Sequence, residues 1–367
     1  MINPKDYSSF LSRHPFDFVP RAEKQKQDNY SAFYEEDMVK LPFYRNDENQ
    51  VVLALYYPMA QSVSVIIQRK PVVLKKDGDY YTCILDLNDG IYPLNVIVDG
   101  NAVIDPFLPI GYGHNQTYNY IHLLSRDSDF SEKDVNHGSL VSYTVFNSVT
   151  MRNDRLFVYV PYEYRKDQSY DVLFLQHGFG ENEIAWISQG RINLLCDNLI
   201  AENRIKPLLV VMADGMLYKK EEGEIRLLTY RFKDYLFDDL LPFVGKHYNI
   251  KDLYIAGLSM GSMQASVTAL ENPGVFKGVG LFSGFMSDLM SGYKAHLLPD
   301  KIKALCENGF LMRCIGDEDR FLPLFEKEDL LLKDVNHVRK IYHGEHEWNV
   351  WRQAIVDFLL LRENVYE

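Results

Sequence analysis

Beyond Ser139 the chain alternates short, nearly continuous apolar runs with longer amphipathic segments. The runs have the length of strands and are DVLFLQ, LLVVMAD, LYIAG, GVGLFSG, FLMRCIG and VRKIYHG. A strand that is apolar at every position is buried on both faces, which is typical of a mostly parallel sheet with helices on both faces. We therefore predict an α/β domain over residues 140–367. Helices are expected over Ile192 to Glu202, over Tyr235 to Tyr248 and at the C-terminus, where apolar residues recur at helical spacing.

The segment before this domain, residues 41–124, consists of short β-type runs separated by turn signals. Asp77-Gly78 and Asp89-Gly90 favour hairpin turns, because glycine accepts a positive φ without a steric clash. The spacing predicts a small antiparallel sandwich. We interpret the polar stretch 125–139 as an interdomain linker and residues 1–40 as an N-terminal arm.

The composition excludes some classes of function. The 367 residues include 39 Lys plus Arg and 51 Asp plus Glu, a net charge of -12. Binding to phosphates needs clustered cations, and no Lys/Arg-rich stripe interrupts this acidic background, so no nucleic-acid partner is expected. The sequence contains no run of about 18 apolar residues, the length that a membrane-spanning helix requires. The N-terminus lacks the apolar core of a signal peptide, so we expect a cytoplasmic protein.

One motif carries most of the chemical information, the sequence GLSMG at residues 257–261. It lies between the apolar run LYIA and a helix-competent segment, and strand, G-x-S-x-G, helix is the order of a nucleophile elbow. The sharp turn exposes the hydroxyl of Ser259 at the sheet edge, and the glycines let neighbouring backbone approach closely. Ser259 is therefore the predicted nucleophile.

A nucleophilic serine needs a downstream histidine as base and an acid that orients the imidazole. Both His343 and His346 qualify, and we favour His346 because it follows Gly344 in the loop before the last helix. The acid should directly follow the carboxyl end of another strand. The run FLMRCIG is followed by three acidic residues at positions 317–319. The residues alone leave the choice among Asp317, Glu318 and Asp319 open.

An oxyanion hole needs two backbone N–H groups, one from the residue after the nucleophile and one from an early strand-to-helix loop. Met260 supplies the first. The second is assigned to Phe179 or Gly178, in the sequence QHGFG that follows the run DVLFL. No second ligand lies near His177, so we interpret it as a structural histidine. Neither a metal nor a cofactor is expected.

Residues 140–362 resemble carbohydrate esterase family one, the feruloyl and acetyl xylan esterase group of the α/β-hydrolases. The resemblance rests on HGFGENEIAW, GLSMGSMQA, GDED and GEHEWNVW. It implies Ser259 as nucleophile, His346 as base and, among the three carboxylates, Asp319 as acid. One departure is Ser262, since glycine commonly follows the second glycine of the elbow.

The resemblance also implies the activity, a serine carboxylesterase that works through an acyl-enzyme. The expected substrates are hydroxycinnamoyl, acetyl or short-chain esters, as small molecules or on feruloylated or acetylated oligosaccharides, and Trp186 and Trp348 are predicted to bind them. Formation of a homo-oligomer is left open. VIVDGNAVIDP makes the N-terminal sandwich similar to the early-set immunoglobulin-like modules of glycogen-branching enzymes.

Two alternatives accompany this interpretation. An enterochelin-type siderophore esterase also pairs an N-terminal sandwich with a hydrolase domain, but its trianionic substrate requires a cationic pocket. The candidate cations are Arg152, Arg155, Arg191, Arg226 and Arg231. A sugar-binding or scaffold protein on an inactive hydrolase fold would have no physical need for all the triad residue types together.

Overall fold

The computed structural model describes residues 42–46, 48–125, 127–287, 297–307 and 309–364. The chain folds into two compact units. The first extends to Tyr112 and also includes Gln116–Lys133, and the second consists of Gly113–Asn115 and the residues from Asp134 onward. The predicted N-terminal arm, residues 1–40, lies outside the described residues. No helix in the described part of the chain is long and apolar enough to cross a membrane.

The first unit consists of two antiparallel sheets. Its strands are β1 (Phe43–Arg45), β2 (Val51–Tyr56), β3 (Val63–Ile67), β4 (Lys70–Val73), β5 (Lys75–Asp77), β6 (Tyr80–Leu85), β7 (Gly90–Val98), β8 (Asn101–Val103), β9 (Ile110–Gly113) and β10 (Gln116–Leu123). One sheet has the order β1-β2-β6-β5, and the other has the order β4-β3-β7-β10-β9 with β8 paired to β7. Every second residue of β2 is buried in a core that both sheets share, which fits the predicted immunoglobulin-like sandwich.

The two Asp-Gly turn signals have different outcomes. Gly78 has a φ of 60° and lies in the turn between the paired strands β5 and β6, as predicted. The prediction of a hairpin at Asp89-Gly90 is wrong, because Gly90 begins β7 while the preceding strand β6 belongs to the other sheet. The dipeptide marks a place where the chain reverses, and packing of the core decides which sheet the next strand joins.

The second unit contains an eight-stranded sheet. Its strands are β11 (Ser139–Asn147), β12 (Arg152–Val160), β13 (Tyr170–Gln176), β14 (Leu208–Ala213), β17 (Ile250–Leu258), β18 (Phe276–Phe282), β19 (Phe310–Gly316) and β20 (Val338–Tyr342), in the order β11-β12-β14-β13-β17-β18-β19-β20. The six strands predicted from apolar runs are β13, β14 and β17 to β20, and they run parallel to one another. A separate hairpin pairs β15 (Tyr218–Glu221) with β16 (Glu224–Leu227).

The helices of this unit include the three that the sequence predicts. They are α1 (Ala185–Ser188), α2 (Ile192–Ala201), α3 (Phe232–Tyr235), α4 (Leu241–His247), α5 (Met260–Glu271), α6 (Pro299–Glu307), α7 (Leu322–Glu328) and α8 (Trp348–Asn364), with short 3-10 segments at Thr229–Arg231 and Asp329–Leu332. A π-helical turn, Leu236–Leu240, joins α3 to α4, so the helix predicted over Tyr235 to Tyr248 begins three residues earlier.

Helices cover both faces of the sheet, as alternation along β18 shows. Val279 and Leu281 share a core cluster with residues of α5. The next side chain along the strand, Phe282, points to the other face, where its ring centroid lies 6.1 Å from that of Phe358 in α8. Because these strands are parallel, their carboxyl ends lie at one common edge of the sheet. Each predicted site residue follows the carboxyl end of β13, β17, β19 or β20.

Candidate active site

Ser259 occupies a tight turn between β17 and α5. Its φ and ψ are 50° and -116°, a left-handed φ that is strained for a residue with a side chain. Its N–H donates to the carbonyl of Phe282 at 2.9 Å, which anchors the turn to the neighbouring strand. Ser262, one turn further along α5, is buried and donates its hydroxyl hydrogen to the carbonyl of Gly284.

The turn requires glycine at position 257 because two backbone segments meet there. A Cβ on Gly257 would lie 2.4 Å from the carbonyl carbon and oxygen of Gly261. We expect Gly257→Ala to lower the free energy of unfolding by about 3 kcal/mol, since backbone cannot yield as a flexible side chain does. Urea denaturation of the two proteins measures the difference.

The matched control is Gly245→Ala in α4. A Cβ there would meet only Ile250 Cδ1, at an ordinary 3.7 Å. Because alanine favours helix over glycine, this variant should be stabilised by about 0.5–1 kcal/mol. Equal stability of the two variants would contradict the close approach at the elbow.

Three of the predicted site residues come together after β17, β19 and β20. His346 Nε2 lies 2.9 Å from Ser259 Oγ, and His346 Nδ1 lies 2.6 Å from Asp319 Oδ2. The other carboxylate oxygen of Asp319 accepts the N–H of Phe321 at 2.9 Å. Asp319 is 4% exposed, so both oxygens are committed to these partners and the imidazole is held by a fixed acceptor.

Two aromatic side chains hold the imidazole of His346 from its sides. The ring of Phe321 meets it at a centroid distance of 5.2 Å, and Trp351 meets it edge to face at 5.0 Å. The indole N–H of Trp351 donates to Ser283 Oγ at 3.2 Å, which fixes the indole in turn. The side chain of His346 is 18% exposed, so its ring has little freedom to leave the serine.

The competing candidates form a second, exposed pair. His343 Nδ1 lies 3.2 Å from Asp317 Oδ2, and Asp317 Oδ1 accepts the N–H of Gly344 at 2.9 Å. The hydrogen bond from Gly344 lowers the pKa of the Asp317 carboxyl, and the bond to Asp317 raises the pKa of the His343 imidazole. The side chain of His343 is 84% exposed, so this pair lies on the surface, and the imidazole that meets Ser259 is that of His346.

The oxyanion loop, residues 177–180, distinguishes between the two amides proposed as second donor. Gly178 N–H donates to Glu181 Oε2 at 2.7 Å and cannot serve, which corrects that alternative. The N–H groups of Phe179 and Met260 have no acceptor within the described residues. These two amides are therefore the ones left to receive a developing oxyanion.

His177 is buried and engaged by backbone on both nitrogens. Its Nδ1 lies 2.8 Å from the carbonyl of Gly178, and Nε2 accepts the N–H of Gly215 at 2.8 Å. Nδ1 therefore carries a hydrogen, and Nε2 also lies 3.4 Å from Asp214 Oδ1. Burial lowers the pKa of this imidazole, but the Asp214 carboxylate raises it above its ordinary value. The side chain thus supports the oxyanion loop, in the structural role that the sequence favoured over a metal ligand.

The prediction that Trp186 and Trp348 bind substrate is wrong. They are 1% and 4% exposed, and their rings pack edge to face with centroids 5.0 Å apart. The indole of Trp186 donates to the carbonyl of Gln176 at 2.9 Å, and that of Trp348 donates to Glu181 Oε1 at 3.0 Å. Neither ring offers a face to a ligand, because both belong to the packing that lies behind the oxyanion loop.

A further residue, to which no sequence motif points, is Glu181, whose carboxylate lies buried beneath the oxyanion loop. Burial raises the pKa of this carboxyl, while the neighbouring imidazole of His177 and the N–H of Gly178 act in the opposite direction. The only signal in the sequence is an acidic residue directly after the glycines of HGFG. An acid in a loop is usually solvated, so the residue attracts no notice without the structure.

The fold and this serine elbow are those of the α/β-hydrolases. Within that class, residues 148–323 match the family model described as "Putative esterase". The chain is 33% identical over 286 residues, 73% of its length, to an endo-1,4-beta-xylanase/feruloyl esterase of Xylanibacter ruminicola. It spans 38% of the length of that relative. The resemblance to carbohydrate esterase family one is confirmed.

Two solved structures share the fold. A CE1 ferulic acid esterase from Anaeromyces mucronatus aligns with a TM-score of 0.55 at 17% identity, over 66% of this chain and 97% of that chain. The enterobactin esterase of Shigella flexneri aligns with a TM-score of 0.65 at 14% identity, over 89% of this chain and 98% of that chain. At these identities the likeness concerns the fold alone, and it confirms the predicted α/β-hydrolase domain preceded by an all-β domain.

Proposed function

We propose that this chain is a serine carboxylesterase that hydrolyses hydroxycinnamoyl, acetyl or short-chain esters through an acyl-enzyme. The observation that carries the proposal is the continuous chain of hydrogen bonds from Ser259 Oγ through the His346 imidazole to the Asp319 carboxylate. An alcohol is a weak nucleophile unless a base takes its proton as it attacks. This arrangement supplies that base.

In the first half of the reaction, Ser259 Oγ attacks the ester carbonyl carbon while His346 Nε2 takes the hydroxyl proton. The carbonyl oxygen becomes an oxyanion that accepts hydrogen bonds from the backbone N–H groups of Met260 and Phe179. Each such donor contributes about 3 kcal/mol of transition-state stabilisation. Asp319 stabilises the imidazolium through Nδ1, and the imidazolium then gives its proton to the departing alcohol.

In the second half, water replaces the alcohol and attacks the acyl-enzyme. His346 takes a proton from this water, the same two amides receive the second oxyanion, and the proton returns to Ser259 Oγ as the acid leaves. The same groups thus serve both steps, and the site is restored.

Aromatic surface near the site supports a hydroxycinnamoyl group as the acyl part. Phe179, whose N–H is the proposed donor, is 49% exposed, and Phe321 lies partly exposed against the ring of the proposed base. Aromatic rings prefer such offset and edge-to-face contacts with one another. The name of the Xylanibacter relative and the complex of the Anaeromyces enzyme with ferulic acid point to the same class of substrate.

A siderophore esterase remains the second candidate because the enterobactin esterase fold covers 89% of this chain. The charges oppose it. Carboxylates lie against the candidate arginines in the pairs Arg152–Asp154, Arg155–Glu183, Arg226–Glu221 and Arg231–Asp234. A ferric catecholate trianion would have to compete with these carboxylates for its cations.

We expect kcat/KM for methyl ferulate to exceed that for ferric enterobactin by at least about 100-fold, since unmatched charge at a binding site costs several kcal/mol. Release of ferulic acid and of dihydroxybenzoylserine, both separated by chromatography, measures the two rates. Hydrolysis of p-nitrophenyl acetate, followed alongside, reports the esterase chemistry without either acyl specificity.

Ferric enterobactin as the better substrate would reverse the choice between the two esterases. No turnover of any of the three esters would favour the inactive scaffold instead. The Ser259→Ala protein, prepared in the same way, corrects each rate for contaminating esterases.

A further inference from the structure

The buried carboxylate of Glu181 accepts hydrogen bonds from three segments, the oxyanion loop, the end of α1 and the start of α8. Oε2 accepts Gly178 N–H at 2.7 Å, and Oε1 accepts Trp348 Nε1 at 3.0 Å and Gln189 Nε2 at 3.3 Å. Burying a carboxylate is costly unless such donors surround it. The charge of Glu181 is not part of the triad, so the triad itself does not explain why a carboxylate is buried at this position.

The contacts of Glu181 help to decide which amide of the oxyanion loop is free. Gly178 N–H is bound by the carboxylate, and Gly180 N–H is bound by the sulfur of Met216 at 3.3 Å. Between them, Phe179 N–H has no acceptor among the residues that the structure describes. The two flanking amides are therefore held away from the site, and the central one is left to point into it.

The backbone N–H of Glu181 and the imidazole of His177 hold the peptide plane that carries this amide. The carbonyl of Gly178 accepts Glu181 N–H at 3.2 Å and lies 2.8 Å from His177 Nδ1. In a planar trans peptide the next N–H points opposite to that carbonyl. Holding the carbonyl of Gly178 on one side therefore directs Phe179 N–H to the other.

Glu181 also links the oxyanion loop to the loop of the proposed base. Trp348, which donates to Oε1, lies two residues after His346 and begins α8. The carboxylate also interacts electrostatically with both His177 and His346. One side chain thus connects the loop of the oxyanion amide to the helix that follows the proposed base.

We propose that Glu181 is a positioning residue, whose carboxylate holds Gly178 N–H so that the Phe179 amide is aimed at the oxyanion. This inference rests on the esterase function proposed above. It predicts an effect in the transition state rather than in substrate binding, because the ester carbonyl gains its charge only as Ser259 attacks.

The test is Glu181→Ala, assayed with p-nitrophenyl acetate and methyl ferulate. We expect kcat to fall about 100-fold, as for loss of an oxyanion donor, with KM changed less than about twofold. The inhibition constant of phenylboronic acid, whose adduct with serine places a negative oxygen in the oxyanion hole, should rise by a similar factor. A residue that only supports the fold would not separate kcat from KM in this way.

Two further variants make the result specific. Glu181→Gln keeps the volume, but its single oxygen cannot accept from both Gly178 and Trp348, so kcat should fall at least about 10-fold. Gln189→Met removes a donor to the same carboxylate and leaves the bond to Gly178 in place, so kcat should stay within about threefold.

The outcomes separate this inference from the esterase function. A wild type that hydrolyses no ester refutes the function itself. An active wild type with Glu181→Ala folded and kcat unchanged refutes only the role of Glu181. Unfolding of both Glu181 variants, judged by circular dichroism, would overturn the inference as well, because the carboxylate would then hold the fold and not one amide.

Discussion

Replacing Ser259 by alanine is expected to lower kcat for p-nitrophenyl acetate and methyl ferulate by a factor on the order of 10⁶, as for removal of a triad nucleophile. The oxyanion amides and the imidazole remain, so substrate still binds and KM should change little. What is lost is the oxygen that forms the acyl-enzyme, 2.9 Å from His346 Nε2. Steady-state kinetics and the absence of a p-nitrophenol burst measure the effect.

The matched control is Ser262→Ala, the same chemical change on the next turn of the chain. Its hydroxyl donates to the carbonyl of Gly284, so we expect kcat within a few-fold of wild type and a loss of about 1 kcal/mol in unfolding free energy. Activity of Ser259→Ala near that of wild type would refute the assignment of the nucleophile.

The elbow could be predicted from the sequence because its constraint is local. The left-handed φ of Ser259 and the close approach of Gly257 to Gly261 involve five consecutive residues, and their small side chains are visible in the sequence. The parallel strands were predictable for a related reason, since burial on both faces leaves an unbroken apolar run.

Other features depend on contacts that the sequence does not display. β11 and β12 lie at the end of the sheet, and much of β11 is exposed, so no continuous apolar run marks it. Its alternation of apolar and polar residues from Val141 to Val145 is a period-two signal that favours a strand. Spacing in the sequence does not distinguish Asp317 from Asp319. The choice depends on which carboxylate reaches the imidazole of His346, which follows the neighbouring strand β20.

For the two tryptophans and for Glu181, the sequence pattern suggests exposure to ligand or solvent, and the structure shows burial. An aromatic residue in a motif suggested a ligand, yet Trp186 and Trp348 are packed behind the loop. An acid in the loop suggested solvation, yet Glu181 is buried and binds the Gly178 amide. Burial of a side chain is set by the other elements that cover it, and no local pattern carries that information.

Asp319→Asn is expected to lower kcat about 10⁴-fold with little change in KM. Phe321 N–H needs an acceptor at 2.9 Å, so the amide oxygen of the asparagine should stay there and its NH2 should face His346 Nδ1. A donor at that position forces Nδ1 to accept and moves the ring hydrogen to Nε2. The imidazole then cannot take the proton of Ser259, and the acylation rate measured with p-nitrophenyl acetate should fall accordingly.

Asp317→Asn makes the same change in the exposed pair with His343 and should leave kcat within about twofold, because the imidazole that meets Ser259 is that of His346. A crippled Asp317→Asn beside an active Asp319→Asn would transfer the role of the acid from one carboxylate to the other.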